Sequence, residues 1–169
     1  MAGKFPYYFL LFALFAVVPA RAQTPEQPSR VPGLFIAPLA EMNGYGRKGP
    51  AFGGGFAVGF GDGVTQGFRL LYSKEAGNES LDALEAAFFL RFYPFGSNVT
   101  AGFFFQIDAG AVLFAYKSSV SFPAEAGSLV LGLSAGGRFP LRDRWHLELA
   151  VRAGYPHIAG LGVSVVYLF

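Results

Sequence analysis

Trp145-His146-Leu147-Glu148-Leu149-Ala150-Val151-Arg152-Ala153-Gly154-Tyr155 is the stretch on which the fold turns. Successive side chains of a β-strand point to opposite faces, so odd and even positions sort into two rows. Trp145, Leu147, Leu149, Val151, Ala153 and Tyr155 make an apolar row with an aromatic ring at each end. His146, Glu148, Ala150, Arg152 and Gly154 make the other row, which carries all the charge. The segment that follows repeats the division, with Leu161, Val163, Val165, Tyr167 and Phe169 set against Gly162, Ser164, Val166 and Leu168.

The same parity extends towards the amino terminus. Leu129, Leu131, Leu133, Ala135 and Phe139 oppose Gly132, Ser134, Gly136 and Arg138. Phe103, Phe105, Ile107, Ala109 and Leu113 oppose Gly102, Gln106, Asp108 and Gly110. Leu84, Ala86, Phe88, Leu90 and Phe92 alternate with Glu85, Ala87 and Arg91. Phe68, Leu70 and Tyr72 oppose Gly67, Arg69, Leu71 and Ser73. Phe52, Phe56, Val58 and Phe60 oppose Gly53, Gly55, Ala57 and Gly59. A first strand around Leu34 to Met42 has the weakest pattern, with Glu41 its only charge. Short turns are expected at Gly61-Asp62-Gly63, Phe95-Gly96-Ser97-Asn98 and Leu141-Arg142-Asp143. Longer loops are expected over Asn43 to Pro50, Glu75 to Ser80, Lys117 to Gly127 and Tyr155 to Gly160. Such alternation of short and long connections suits an all-β, eight-stranded, antiparallel up-and-down barrel, with the short turns on the periplasmic side.

Composition narrows the environment. The 169 residues are 53% hydrophobic and 17% aromatic, with 23 glycines and only 14% charged residues, against about 25% charged in ordinary globular domains. After Val18 no apolar stretch reaches the length of a membrane-spanning helix. Helices and closed barrels alone satisfy every backbone group inside lipid, so these strands predict a transmembrane barrel.

Residues 1–22 read as a cleaved signal peptide: Lys4, an apolar run from Phe5 to Val18, and Ala20-Arg21-Ala22 as the peptidase site. The competing reading is a transmembrane helix, because the run approaches spanning length. Residues 23–32 form a short periplasmic tether, and the barrel domain covers 33–169. The formal net charge of +2 comes from Lys4 and Arg21, so the mature chain is close to neutral and gives no ground for nucleic-acid binding. Without cysteine there is no disulfide framework, thiolate metal site or acylated lipoprotein cysteine.

A soluble barrel of the lipocalin type would show the same alternation with the apolar row inside. Its outer face would carry charge at most positions, whereas the polar row here is mostly Gly, Ala and Ser. The outward aromatics fall near strand ends, as in interfacial girdles: Phe60, Phe92, Phe103, Phe139 and Trp145 near the short turns, and Phe52, Tyr72 and Tyr155 near the long loops. From Trp145 to Tyr155, at ~3.3 Å per residue and ~40° tilt, the wall rises roughly 25 Å, the height of the apolar band. A lysine or arginine on the lipid face would cost about 2–4 kcal/mol at the midplane. The outward row has none there, since Lys74, Asp82 and Arg144 sit at strand ends.

Tyr167-Leu168-Phe169, with apolar residues at alternate positions back to Leu161, resembles the signal read by the outer-membrane barrel assembly machinery. In size and layout the mature chain resembles the small eight-stranded families, namely the OmpX type, the OmpA transmembrane domain and the OmpW type. That resemblance implies an integral protein of the bacterial outer membrane, exported through the periplasm. Its partners would be outer-membrane lipids and the assembly machinery, and any extracellular or small-solute ligand is unknown.

The inward charges are Glu41, Arg69, Glu85, Arg91, Asp108, Arg138, Glu148 and Arg152, four acidic and four basic. An eight-stranded barrel is just wide enough for side chains to fill, so these charges must pair or forfeit several kcal/mol of solvation. A salt-bridged plug with a structural or surface-contact role is one reading. A narrow channel or small-molecule conduit is the other, because inward Gly53, Gly55, Gly59, Gly67, Gly110, Gly132 and Gly136 leave volume beside the charges.

Lipid A modification, a chemistry that small barrels host, is the third class. A serine hydrolase needs Ser, His and a carboxylate within mutual reach. His157 is followed by Ile158 and Ala159, so the His-x-Ser spacing of the deacylase family is missing. His146 is expected inside beside Glu148 as a structural partner. No metal-ligand cluster or phosphate-binding loop is present in the sequence, so no catalytic residue, metal or cofactor is assigned.

Overall fold

A computed structural model describes residues 33–45, 49–75, 81–94, 102–116 and 124–169. The signal peptide and tether expected over residues 1–32 lie outside the described residues, as does the turn expected at Phe95-Gly96-Ser97-Asn98.

Eight strands follow one another: β1 (Gly33–Gly44), β2 (Pro50–Asp62), β3 (Val64–Glu75), β4 (Leu81–Phe92), β5 (Gly102–Tyr116), β6 (Ala124–Arg142), β7 (Trp145–Tyr155) and β8 (Ala159–Leu168). Each pairs antiparallel with its neighbour in sequence, and β1 pairs antiparallel with β8 to close the barrel. Phe35 lies opposite Leu168 and Gly44 opposite Ala159 along that closing seam. Closure gives every strand a partner on both sides over the body of the wall.

The burial pattern follows parity. On β4 it alternates strictly, with Leu81, Ala83, Glu85, Ala87, Phe89 and Arg91 buried. Leu84, Phe92, Phe105, Ile107, Leu131, Leu133, Val151 and Leu161 are exposed on the outside. The β2–β3 turn is a single residue, Gly63, held at φ 75°, a left-handed conformation that glycine adopts without a side-chain clash.

Three expected connections shift. Leu141 and Arg142 belong to β6, which bulges between Pro140 and Arg142, so the β6–β7 turn is Asp143-Arg144. The extra bulge residue lets β6 run on past the position where parity alone ends it. At the other end β6 begins at Ala124, inside the expected loop, because β5 continues to pair with it up to Tyr116 opposite Ala124. The β7–β8 connection shrinks to Pro156-His157-Ile158.

The rim that holds Gly33, Gly63 and Leu168 is called the terminal rim below, and the opposite one the loop rim. Phe35, Ala37, Ala57, Phe89 and Val166 form an apolar cluster towards the terminal rim, with Leu39 and Leu168 against it. Leu81, Ala83, Val112, Phe114 and Val130 form another towards the loop rim, with Tyr45 against it. Charge fills the space between.

Candidate functional site

All eight charged residues expected inside do lie inside: seven are buried and Glu41 is half-buried. They form one connected network in two groups. In the outer group, towards the loop rim, Arg69 Nη1 donates to Glu41 Oε1 at 2.7 Å, and Arg69 Nη2 donates to Glu85 Oε1. Arg152 grips the same carboxylate with two bonds, Nη2 to Oε1 at 2.8 Å and Nη1 to Oε2 at 3.1 Å. Its Nε lies 3.7 Å from Asp108 Oδ2. In the inner group Arg91 Nη1 and Arg138 Nε both donate to Glu148 Oε1 at 2.6 Å. Ser164 Oγ reaches Glu148 Oε2 at 3.3 Å.

Gln106 joins the groups. Its Oε1 accepts from Arg91 Nε at 2.9 Å while its Nε2 donates to Asp108 Oδ1 at 2.7 Å. Asp108 also accepts from Ser134 Oγ at 3.2 Å. Among the described residues the outer group thus holds three carboxylates against two guanidiniums, and the inner group two guanidiniums against one carboxylate. Aromatic faces also meet the inner guanidiniums, since the negative face of a ring attracts a cation. Arg91 stands 4.0 Å from the centre of the Phe104 ring and 5.5 Å from those of Phe35 and Phe89, and Arg138 stands 4.8 Å from Phe35.

The expectation that inward glycines leave open volume is corrected. In the ladder Phe35 lies directly opposite Gly59, Phe89 opposite Gly67, and Phe104 opposite Gly136. A Cβ on those glycines would come within 2.6 Å of Phe35 Cε1, 2.4 Å of Phe89 Cζ and 2.5 Å of Phe104 Cζ respectively. Each glycine is the seat of a ring from the next strand. Gly53, Gly55 and Gly110 abut backbone atoms of a neighbouring strand, and Gly132 faces the Arg152 guanidinium. A cavity of about 50 Å³ is left, bordered by Arg69, Arg91, Gln106, Ser134, Glu148 and Arg152. Ala37, Leu39, Ala57, Phe89 and Phe104 border it as well, so the void is of mixed polarity and large enough for water only beside its charged side chains.

Two histidines behave differently from expectation. His146 is buried, but its bonding partner is the Arg144 backbone, and Glu148 is taken by arginines. His157 falls within the loop expected over Tyr155 to Gly160. It is 1% exposed, with Nε2 3.0 Å from Glu85 Oε2 and its ring packed edge-on against Tyr45 at 5.0 Å. A three-residue connection has no periodicity to show which way a side chain turns. Glu75, buried at the end of β3, continues the inward row beyond Ser73.

Among the described residues no serine is bonded to either histidine: Ser73 Oγ pairs with the Tyr45 hydroxyl at 3.0 Å, and Ser164 and Ser134 serve carboxylates. Among the described residues no group of three His, Cys, Asp or Glu is placed to hold a metal ion.

On the outside, the rings expected in girdles are all exposed. Phe60, Phe92, Phe103, Phe139 and Trp145 lie near the terminal rim, and Phe52, Tyr72 and Tyr155 near the loop rim. Trp145 packs on Tyr167 at 4.9 Å, and Tyr167 on Phe169 at 5.0 Å. The Phe169 backbone N–H donates to Leu34 O at 3.0 Å, which ties that stack to β1.

No protein-family profile matches the sequence, and no curated protein sequence matches it. Solved structures do. Neisserial surface protein A superposes with a TM-score of 0.64 at 10% identity, covering 85% of this chain and 100% of that one. The N-terminal barrel domain of Pseudomonas aeruginosa OprF gives 0.56 at 12% identity, covering 81% and 97%. Ail, the attachment invasion locus protein of Yersinia pestis, gives 0.55 at 10% identity, covering 83% and 100%. The chain has the fold of a small outer-membrane β-barrel. At such low identity the likeness fixes the architecture of this small-barrel fold, and the lumen has to be read from its own residues. The apolar outward row, which a lipocalin would turn inward, is the row that this fold presents to lipid.

Proposed function

We propose that this chain is an integral, non-catalytic barrel of the bacterial outer membrane whose lumen is sealed and whose working surface is the loop rim. The observation that carries this reading is the continuous fill of the lumen. Ion pairs run from Glu41 to Glu148, rings occupy the glycine seats, and the cavity between them measures about 50 Å³. Dehydrated ions would have to break bonds to charged groups, each worth about 1.5–3 kcal/mol, at several successive levels. With no route for solute and no activated nucleophile among the described residues, contact at the rim is the function left to the wall.

In this reading the terminal rim is periplasmic, the outward row meets outer-membrane lipids, and the Trp145-Tyr167-Phe169 stack is what the assembly machinery engages. Neisserial surface protein A is a surface protein by name and Ail is named for attachment and invasion, which agrees with a rim that faces outward. Planar-bilayer recording of the refolded chain tests the seal. The expected record is a flat baseline at neutral pH, and a steady conductance that varies with the solute would overturn the reading in favour of a conduit.

A further inference from the structure

We propose that Arg142, which a β-bulge turns out of the lumen row and onto the outer wall beside Trp145, binds the phosphate of a phospholipid at the terminal rim. The inference rests on the reading of the outward row as the lipid face, and adds to it a polar contact that fixes the depth of the wall.

Parity alone sends Arg142 the other way. Along β6 the even members Gly132, Ser134, Gly136 and Arg138 are buried in the lumen, and Arg142 is the next even charge. Kept on that row, it would bring a third guanidinium to the end of the lumen where Arg91 and Arg138 already share Glu148. The ladder shows a different placement. Pro140 lies opposite His146 and the next pair is Arg142 opposite Trp145, so Leu141 is the extra residue. One inserted residue reverses the face of those that follow it, and residues directly opposite in an antiparallel pair share a face. Trp145 faces outward, 46% exposed, so Arg142 joins the outward row. Arg142 and Leu141 are both exposed.

The neighbours of Arg142 in that row have the chemistry of a headgroup boundary. Arg142, Trp145 and Tyr167 run across three strands, each directly opposite the next. Trp145 packs on Tyr167 and Tyr167 on Phe169. Such rings lie where acyl chains give way to headgroups. An arginine is costly within the apolar band, whereas at this level it meets phosphate. Its guanidinium offers two parallel N–H donors that match two phosphate oxygens, and the indole N–H of Trp145 is a third donor in the same row. The next outward row, Phe139 opposite Leu147 and Leu147 opposite Val165, is apolar and suits the chains of the same molecule. One glycerophospholipid therefore satisfies both rows.

The backbone beneath the site is fixed. Leu168 N donates to Arg144 O at 2.9 Å and Phe169 N to Leu34 O at 3.0 Å, which ties the β6–β7 turn to β8 and β8 to β1. Arg144 is exposed too, but it lies in the turn and off the wall row, so the contact is assigned to Arg142.

The test uses the full chain refolded into vesicles of a galactolipid, a host without phosphorus, holding a minority of phosphatidylglycerol brominated near the headgroup end of one chain. Bromine quenches only nearby tryptophan, and Trp145 is the chain's single one, so quenching counts the phospholipid at this place alone. The native chain is expected to enrich the brominated phospholipid about fivefold over its share of the vesicle, the scale of one arginine at an anionic headgroup surface. Arg142→Gln should return the quenching to that share. Arg144→Gln removes the same charge from the turn and should leave most of the enrichment. Equal losses in the two variants overturn the proposal, and so does an enrichment that millimolar inorganic phosphate abolishes, because the ligand is then a free anion. Should Arg142→Gln fail to fold, the native chain still decides, since quenching no stronger than the phospholipid's share refutes the site. Bromine carried by the galactolipid separates the two readings. If it quenches Trp145 while the phospholipid is not enriched, the phosphate site alone falls. If neither lipid quenches Trp145, the lipid-facing row falls and takes the site with it.

Discussion

Glu85→Gln removes one charge from the point where Arg69, Arg152 and His157 meet. Adding a value for every lost bond would overstate the effect. Arg69 keeps Glu41 at 2.7 Å, and Arg152 keeps longer contacts to Glu41 at 3.8 Å and Asp108 at 3.7 Å. The amide oxygen of the new side chain also still accepts one bond. What remains is a guanidinium held in a dry interior with a weakened counter-charge, and breaking a buried pair in that way costs about 3–5 kcal/mol. Arg152→Met should cost a similar amount. The double variant Glu85→Gln/Arg152→Met removes both charges, so its cost should fall short of the sum by about 2 kcal/mol, within the range for contacting residues. Urea unfolding from lipid vesicles, followed through Trp145, the chain's single tryptophan, measures all three. A loss below about 1 kcal/mol for Glu85→Gln together with an additive double variant would refute the reasoning, because it would mean that water already solvates these charges.

Further outcomes follow from the wall and the seats. Leu133, 65% exposed near the middle of β6, should cost about 2–4 kcal/mol as Leu133→Arg in vesicles, and an unchanged urea midpoint would show that its row does not face lipid. Gly59→Ala places a methyl 2.6 Å from the Phe35 ring and should destabilise by about 1–3 kcal/mol. Phe35→Leu should recover part of that loss, and no recovery would place the conflict elsewhere than at the ring. Tyr167→Ala unstacks Trp145 and Phe169. Its insertion into membranes in cells should drop more than that of an alanine at exposed Ile158, as read by heat-resistant migration on gels, and equal yields would remove the assembly role of the stack.

Much of the wall was legible because period-two alternation is strict wherever one face meets lipid. Trp145 to Tyr155 alone separates both rows, and the structure keeps that parity from β2 to β8. The three rings that fill the lumen were not legible. Phe89 stands between Phe88 and Leu90, and Phe103-Phe104-Phe105 is likewise unbroken, so no contrast in polarity marks the inward member. The glycines that seat these rings belong to other strands, and only the ladder reveals which glycine faces which ring. The eight charges were found by parity, but their division into three carboxylates with two guanidiniums and one carboxylate with two guanidiniums depends on depth, which parity does not carry. His157 lay beyond any pattern, in a connection too short to have one.

The phenylalanine seats bear on how the strands find their alignment. Parity forbids a slip of one residue, because every side chain would change face. It permits a slip of two. Such a slip would set Phe89 against Thr65 or Arg69 instead of Gly67, and Phe104 against Ser134 or Arg138 instead of Gly136. Neither substitute leaves room for a ring. The β1–β2, β3–β4 and β5–β6 hairpins each contain one such ring and seat, and β7–β8 contains the Glu148 to Ser164 bond across directly opposed residues. The β3–β4 and β5–β6 hairpins therefore each carry their own key, cut so that it turns in a single position before the cylinder closes.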